Sequence, residues 1–156
     1  MSDVLIAAAD LAPVPVHAIL ESELAAALDA APPLARTLAA LSEFKARAGQ
    51  ALVVPDADGA PAHVLFGLGS SADLDAMAFR ALPAKLPAGA YRLAQVPAGL
   101  SPVQTALAFA LGSYRFDRYK AWSGERPRLV VEGPALEEAR SQAHASALAR
   151  DMINTP

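Results

Sequence analysis

The sequence predicts an α/β domain in which helices flank a mixed β-sheet. Short apolar runs that are typical of strands alternate with longer stretches whose apolar residues recur at helical spacing. Two strand-like runs are separated by a turn containing Asp58-Gly59, which predicts an antiparallel hairpin. With 156 residues, the chain has the length of one domain. We therefore expect a mixed sheet with helices on both faces.

Two strands and two helices are predicted in the first third of the chain. The apolar run Val4–Ile6 is typical of an edge strand or of a frayed start. Val14–Glu21 alternates as a half-buried strand does. A short helix is predicted over Ser22–Leu28, with its first residue as the N-cap, and a longer helix over Leu34–Ala48 with Gly49 as its stop.

The middle of the chain predicts the hairpin and one more helix. Gln50–Pro55 and His63–Gly67 are the two strands, and Asp56–Gly59 is the turn between them because Gly tolerates a positive φ. The helix is predicted over Ala72–Leu82. Its apolar residues near one face are Leu74, Met77, Ala78 and Ala81.

Two strands and a helix follow. Tyr91–Val96 alternates as a strand, and Leu129–Glu132 is a final short strand. Between them, Ser101 is placed to cap a helix over Pro102–Ser113. Proline at the first helical position supports this start, since its missing N–H would have no partner there.

A terminal helix begins at Pro134 and stops before Pro156. Glu137 and Glu138 place negative charge near its positive N-terminal end. Small residues fall four apart on one side of this helix: Ala139, Ala143 and Ala147. We expect this side to pack on the domain's own sheet, the alternative being an interface with a domain that is missing from the chain.

Composition excludes several classes of protein. The chain has no cysteine, so it has neither a disulfide framework nor a zinc-thiolate site, which fits a reducing compartment. It shows no signal-peptide pattern and no apolar run long enough to span a membrane. A net charge of −3 gives no general attraction to nucleic acid or anionic membranes. We expect a cytoplasmic protein without a membrane partner.

Two segments carry a resemblance to a known family. Ala149–Pro156, with the sequence ARDMINTP, resembles the "aRdLvNtP" segment that joins the two domains of leucyl (cytosol) aminopeptidases, the dimetal exopeptidases. Tyr114–Lys120, with the sequence YRFDRYK, resembles the "YrFdrYk" segment that precedes it in that family, and the spacing fits. Met152 and Ile153 replace the more usual Leu and Val. The rest of the chain resembles the family in strand and helix order.

The resemblance implies a non-catalytic N-terminal domain. That domain of the family is similar to a macro-like α/β domain, so residues 1–151 are expected to form it and residues 152–156 to begin the linker to a catalytic domain absent from this chain. The parent enzyme would release N-terminal residues from peptide substrates with two divalent ions, Mn or Zn, and would assemble as a homo-hexamer. The family's "NTDAEGRL"-like metal segment is absent. We expect no catalytic, metal or substrate-binding residue here, and an inactive fragment.

A glycine-containing loop is the first candidate ligand site. Gly67, Gly69, Ser70 and Ser71 lie between a predicted strand and a predicted helix, where backbone N–H groups can hold a phosphate. The loop lacks the third glycine of a dinucleotide fingerprint and the lysine of a P-loop. A tight turn with one of the serines as an N-cap is therefore the competing interpretation.

An aromatic and basic segment is the second candidate. Tyr114, Arg115, Arg118, Tyr119 and Lys120 combine the side chains that stack on bases and contact phosphates. The resemblance accounts for the same residues without a ligand, so nucleic acid is not the expected partner. The alternative to the aminopeptidase domain is a free-standing macro-like module that binds a nucleotide or nucleic acid through either candidate.

The three histidines give no local metal motif. His17, His63 and His144 are too far apart in sequence for a pattern such as H-E-x-x-H. We interpret them as structural or solvated.

Overall fold

The computed structural model describes residues 4–8, 12–114 and 125–153, which form a six-stranded mixed sheet with helices on both faces. The strands are β1 (Leu5–Ile6), β2 (Val14–Ile19), β3 (Ala51–Pro55), β4 (Pro61–Gly67), β5 (Gly89–Gln95) and β6 (Pro127–Val130). The α-helices are α1 (Leu24–Ala30), α2 (Leu34–Leu41), α3 (Pro102–Gly112) and α4 (Ala135–Ile153). Short 3-10 helices cover Glu21–Glu23, Ser71–Asp73 and Ala76–Ala84. The predicted fold class is confirmed.

The strands lie in the order β1-β6-β5-β2-β4-β3. Every neighbouring pair is parallel except β3 and β4, which form the predicted antiparallel hairpin. The Asp56 carboxylate accepts hydrogen bonds from the backbone N–H groups of Asp58 and Ala60, and Gly59 has a φ of +85°. β1 is an edge strand, as its sequence allowed. The hairpin is therefore what makes the sheet mixed.

Each face of the sheet has its own core. Side chains alternate along a strand, so Val16 and Ala18 of β2 face the larger core, while Ile19 faces the smaller one. The larger core packs the sheet against α3, α4 and the 3-10 helix Ala76–Ala84. The smaller core lies between α1, α2 and the strands β2, β3 and β4. The strands on the β1 side of β2 thus have no described helix on that second face.

Helix α4 packs against α3 and β1 through its small-residue side. Ala139 is fully buried, and Ala143 and Ala147 are buried beside it. Gly133 has a φ of +66° and turns the chain into the helix, which begins within one residue of the predicted start. No helix in the described ranges has the length and apolar character that a membrane crossing requires.

The predicted helix Leu34–Ala48 is wrong in its second half. Helix α2 ends at Leu41, and Glu43 and Ala46 then adopt positive φ values of 51° and 55°. Long-range contacts stabilise this backbone, because Ala46 O accepts a hydrogen bond from Gly69 N at 2.9 Å. The tertiary structure therefore overrides a favourable helical pattern.

The predicted helix Ala72–Leu82 is replaced by 3-10 helices. Asp75 caps the longer one by accepting a hydrogen bond from Met77 N, and this helix runs from Ala76 to Ala84. Its buried residues repeat every three positions, as Ala76, Phe79 and Leu82 do, which is the 3-10 period. Leu74 and Ala78 of the predicted face do pack against the larger core, but Met77 is exposed, and Phe79, which the prediction left out, is fully buried.

Several elements begin or end a few residues from their predicted boundaries. Ser22 is not an N-cap: Glu21–Glu23 form a 3-10 turn in which the Glu23 carboxylate accepts a hydrogen bond from Leu20 N at 2.8 Å. Strand β2 ends at Ile19, and β6 begins two residues earlier than predicted, at Pro127. Ser101 does cap α3, as predicted.

Candidate functional site

The glycine-containing loop lies at the carboxyl end of β4 and uses its backbone donors within the chain. Gly67 N donates to Gln50 O at 2.8 Å, Leu68 N to Ile19 O at 2.9 Å, and Gly69 N to Ala46 O at 2.9 Å. A phosphate cradle needs such N–H groups to point at the ligand. These three point at backbone carbonyls, so the geometry favours the tight-turn interpretation, and ligand binding by the loop stays a prediction.

Close packing explains the two glycines. A Cβ atom on Gly67 would overlap the backbone carbonyl groups of Ala46 and Arg47, and Gly69 has a φ of +78° that favours glycine. Ser70 precedes the 3-10 helix Ser71–Asp73, where its hydroxyl donates to the Asp73 carboxylate at 2.7 Å. The loop thus packs closely against the backbone of residues 46–48 at the end of β4.

The aromatic and basic segment contributes one described residue, Tyr114. Its hydroxyl donates to Asp151 Oδ1 at 2.5 Å, and the Arg150 guanidinium lies over its ring, 5.1 Å from the centroid. A cation over an aromatic face is attracted by the ring's quadrupole. The structure therefore joins the two segments that carry the family resemblance. The other predicted cluster residues lie outside the described ranges: Arg115, Arg118, Tyr119 and Lys120.

A cleft of about 410 Å³ opens at the carboxyl ends of β5 and β6, beside the start of α3. Its wall is mostly apolar, with the exposed side chains of Arg92 and Glu132 as its charged members. The buried Thr105 hydroxyl faces its own helix, donating to the carbonyl oxygens of Ser101 and Pro102. The lining residues supply no paired nucleophile and base, so the cleft has the chemistry of a surface groove.

The structure brings two of the three histidines together. The rings of His17 on β2 and His63 on β4 stack with centroids 4.6 Å apart, and His17 Nδ1 lies 3.4 Å from Gln95 Oε1. Burial, with the neighbouring His17 as a lesser cause, lowers the pKa of His63 below its ordinary value of 6.5. Sequence spacing gave no sign of this pair, because their proximity depends on the β2–β4 register. His144 lies apart, exposed on α4.

No metal centre is formed by the described residues. Nowhere in residues 4–8, 12–114 and 125–153 do three His, Cys, Asp or Glu side chains converge as a metal site requires. The stacked His17–His63 pair offers two nitrogens and no third ligand among these residues. The donor set of a two-metal site, which needs several carboxylates, does not fit this part of the chain.

A family model described as the M17 aminopeptidase N-terminal domain matches residues 14–132, which is most of the chain. The chain belongs to this family. The match spans the sheet from β2 to β6 and includes the glycine loop, the cleft and the histidine pair. It confirms the family that the two sequence segments indicated. A comparison with curated proteins found no match.

Solved structures, two of them aminopeptidases, share the fold of this M17 domain. The cytosol aminopeptidase of Coxiella burnetii superimposes with a TM-score of 0.83 at 27% identity, over 99% of this chain and 34% of that chain. The bottromycin maturation enzyme BotP, in complex with Mn, gives 0.67 at 28% identity, over 94% of this chain and 32% of that one. A tomato leucine aminopeptidase mutant superimposes with a TM-score of 0.61 at 20% identity, over 97% of this chain and 38% of that one. At this identity the match shows the fold alone.

The M17 domain therefore spans about a third of the length of these structures. The comparisons give no support to the alternative of a free-standing macro-like module. What the described residues offer chemically is also limited: a turn whose amides are engaged, a groove with two charges, and a histidine pair without a third ligand.

Proposed function

We propose that this chain is the non-catalytic N-terminal domain of a metal-dependent leucyl aminopeptidase, an enzyme that releases N-terminal amino acids from peptides. The observation that carries the proposal is the extent of the structural match. Similarity covers 99% of this chain and only 34% of the Coxiella burnetii cytosol aminopeptidase, so the larger part of that enzyme has no counterpart here.

In this proposal the catalytic machinery lies in a following domain. That domain would bind two divalent ions, Mn or Zn, with several carboxylates, and the ions would polarise the peptide carbonyl and activate water. Two observations support this division. The structurally similar BotP was solved in complex with Mn, and the described residues here converge in no three-ligand group.

The role of the present domain is then structural. We propose that it shapes access to the active site of its own catalytic domain and supports a homo-hexamer built mainly through that domain. Residues 1–151 form the unit and residues 152–156 begin the linker. A cytoplasmic location is proposed as well, supported by the absence of cysteine and by the cytosol aminopeptidase among the neighbours.

Metal stoichiometry tests the division of labour. The 156-residue chain and the product of the complete reading frame are each dialysed against Mn²⁺, and bound metal per chain is measured by elemental analysis. We expect two ions per chain in the longer product and none above background in the short one. Stoichiometric binding to the short chain would contradict the proposal, as would a longer product that binds no metal.

A further inference from the structure

The outward side of α4 changes character halfway along the helix. In its first half, the exposed residues are polar: Glu137, Glu138, Ser141 and Gln142. In its second half, four exposed apolar residues, which we name the outer stripe, follow the spacing i, i+3, i+4 and i+7: Ala145, Leu148, Ala149 and Met152. Leu148 is 55% exposed and Met152 is 72% exposed. This spacing is that of an amphipathic helix face that packs on a partner.

The opposite side of the same turns is already packed. Ala143 and Ala147 are buried, and Ala143 belongs to the larger core. The last turns of α4 therefore carry apolar residues on two opposite sides, and Ile153, which is 83% exposed, is a fifth exposed apolar residue beside the four of the outer stripe. An apolar side of a helix is stabilised when another element covers it. Within the described residues only the inner side is covered.

The orientation of the outer stripe is fixed by contacts at the end of α4. The Tyr114 hydroxyl binds the Asp151 carboxylate, and the Arg150 guanidinium rests on the Tyr114 ring. Both contacts hold the last turn against the end of α3. Leu148 lies three residues before Asp151 and so borders this contact, and the contact holds the helical turns that carry the exposed Leu148 and Met152.

We propose that the outer stripe is the surface on which the following part of the same polypeptide, the catalytic domain, docks against this domain. The inference rests on the proposed function. The Coxiella burnetii structure, which this chain matches over 99% of its length, contains a much longer chain, so a covalently attached partner is at hand. Attachment near the stripe gives that partner a high effective concentration. Burial of Leu148 and Met152 then favours a fixed arrangement of the two domains.

Another exposed leucine provides a matched control. Leu41, at the end of α2, is 78% exposed on the opposite face of the sheet. The residues that follow it, Ser42 and Glu43, are polar and exposed, and scattered exposed apolar residues are ordinary in a monomer. Leu41→Glu introduces the same charge as Leu148→Glu at a site outside the proposed interface.

The test uses hydrogen exchange on both lengths of the protein. Exchange of the amides of residues 145–153 is followed in the 156-residue chain and in the complete product. We expect slower exchange of these amides in the complete product. In the complete product, the double variant Leu148→Glu/Met152→Glu should raise the exchange rate of these amides by about tenfold or more, because it removes two buried apolar side chains from the interface. The double variant should not change the exchange rates of these amides in the 156-residue chain. Leu41→Glu should not change them in either protein.

Three results would overturn the inference. Equal exchange of residues 145–153 in the two lengths would show that nothing in the longer chain covers the stripe. Protection that the double variant fails to remove would place the interface elsewhere. A 156-residue chain that dimerises in sedimentation, and becomes monomeric with the double variant, would assign the stripe to a second copy. Hydrolysis of a leucine anilide by the complete product, measured in parallel, shows separately whether the proposed function stands.

Discussion

The environment of His63 is set by residues that are distant from it in sequence. Its ring stacks on His17, and its buried Nε2 atom has no hydrogen-bond partner among the residues that the structure describes. Its neighbours are the His17 imidazole on β2, the apolar Val54 paired with it on β3, and Gln95 of β5, which contacts His17. Burial and the neighbouring imidazole both disfavour the imidazolium, so the pKa of His63 lies below its ordinary value of 6.5.

This shift predicts a pH dependence of stability. Between the folded-state pKa and 6.5 the unfolded chain binds more protons than the folded one, so the free energy of unfolding rises with pH in that window. The contribution of His63 is complete above pH 6.5 and is lost as the pH falls through the folded-state pKa. Urea unfolding at pH 7.5 and 5.0 measures it. His63→Gln should reduce the difference between the two pH values.

The control for this prediction is His144→Gln, which removes an exposed histidine from α4. It should leave the pH dependence of wild type in place. If His63→Gln retained the full dependence as well, the histidine pair would have no part in it.

Arg140 makes the second prediction at the residue scale. Its guanidinium Nε and Nη2 donate to Leu5 O at 3.1 and 2.8 Å and so tie the edge strand β1 to α4. Arg140→Ala removes both charge-assisted bonds, and we expect a loss of about 1.5–3 kcal/mol in the free energy of unfolding. Gln142→Ala, on the exposed side of the same helix, should stay within about 0.5 kcal/mol of wild type. If urea titrations gave the two variants the same free energy of unfolding, the hydrogen bonds from Arg140 to Leu5 would not stabilise the protein.

At the element scale, the approach of α3 to the 3-10 helix Ala76–Ala84 depends on one glycine. A Cβ atom on Gly112 would overlap the carbonyl group of Arg80, so the two elements cannot stay this close with any larger residue. Gly112→Ala should destabilise the protein by about 1–3 kcal/mol because the elements must separate. This loss corresponds to a lower melting temperature, by about 2–4 °C per kcal/mol.

The comparison for Gly112→Ala is Gln104→Ala, which introduces the same residue at an exposed position of the same helix. It should change the melting temperature by little, since exposed substitutions stay within about 0.5 kcal/mol. A Gly112→Ala protein as stable as Gln104→Ala would mean that the close approach is not required.

Elements with a local signal were predictable, and elements shaped by distant contacts were not. The hairpin, α3 and α4 follow from turn residues, caps and periodicity that lie within each segment. The end of α2 at Leu41 depends on hydrogen bonds from Gly69 to Ala46, and these residues are far apart in sequence. The 3-10 helix Ala76–Ala84 replaced an α-helix because its buried residues repeat every three positions.

The candidate sites show the same division. The glycine loop was located correctly at the end of a strand, but only the structure shows that its amides are engaged by Gln50, Ile19 and Ala46. The stacking of His17 on His63 requires the register of β2 against β4, which no local pattern contains. The contact of Tyr114 with α4 likewise joins two motifs that the sequence shows only as separate segments.

At the scale of the whole molecule, the two family segments indicated the correct family, which the match over residues 14–132 established. From the sequence, the small-residue side of α4 was either the side that packs on the domain's own sheet or an interface with another domain. The structure buries that side inside the domain and exposes the outer stripe, including Leu148 and Met152, instead. Helix α4 thus packs into this domain with one side and carries the proposed docking surface for the catalytic domain on the other.

The most direct test of the central claim is hydrolysis of a leucine anilide with added Mn²⁺, measured on the 156-residue chain and on the product of the complete reading frame. We expect hydrolysis by the complete product and none above background by the short chain, because the described residues hold no three-ligand metal group. Metal-dependent hydrolysis by the 156-residue chain would contradict the account, and so would a complete product that is inactive.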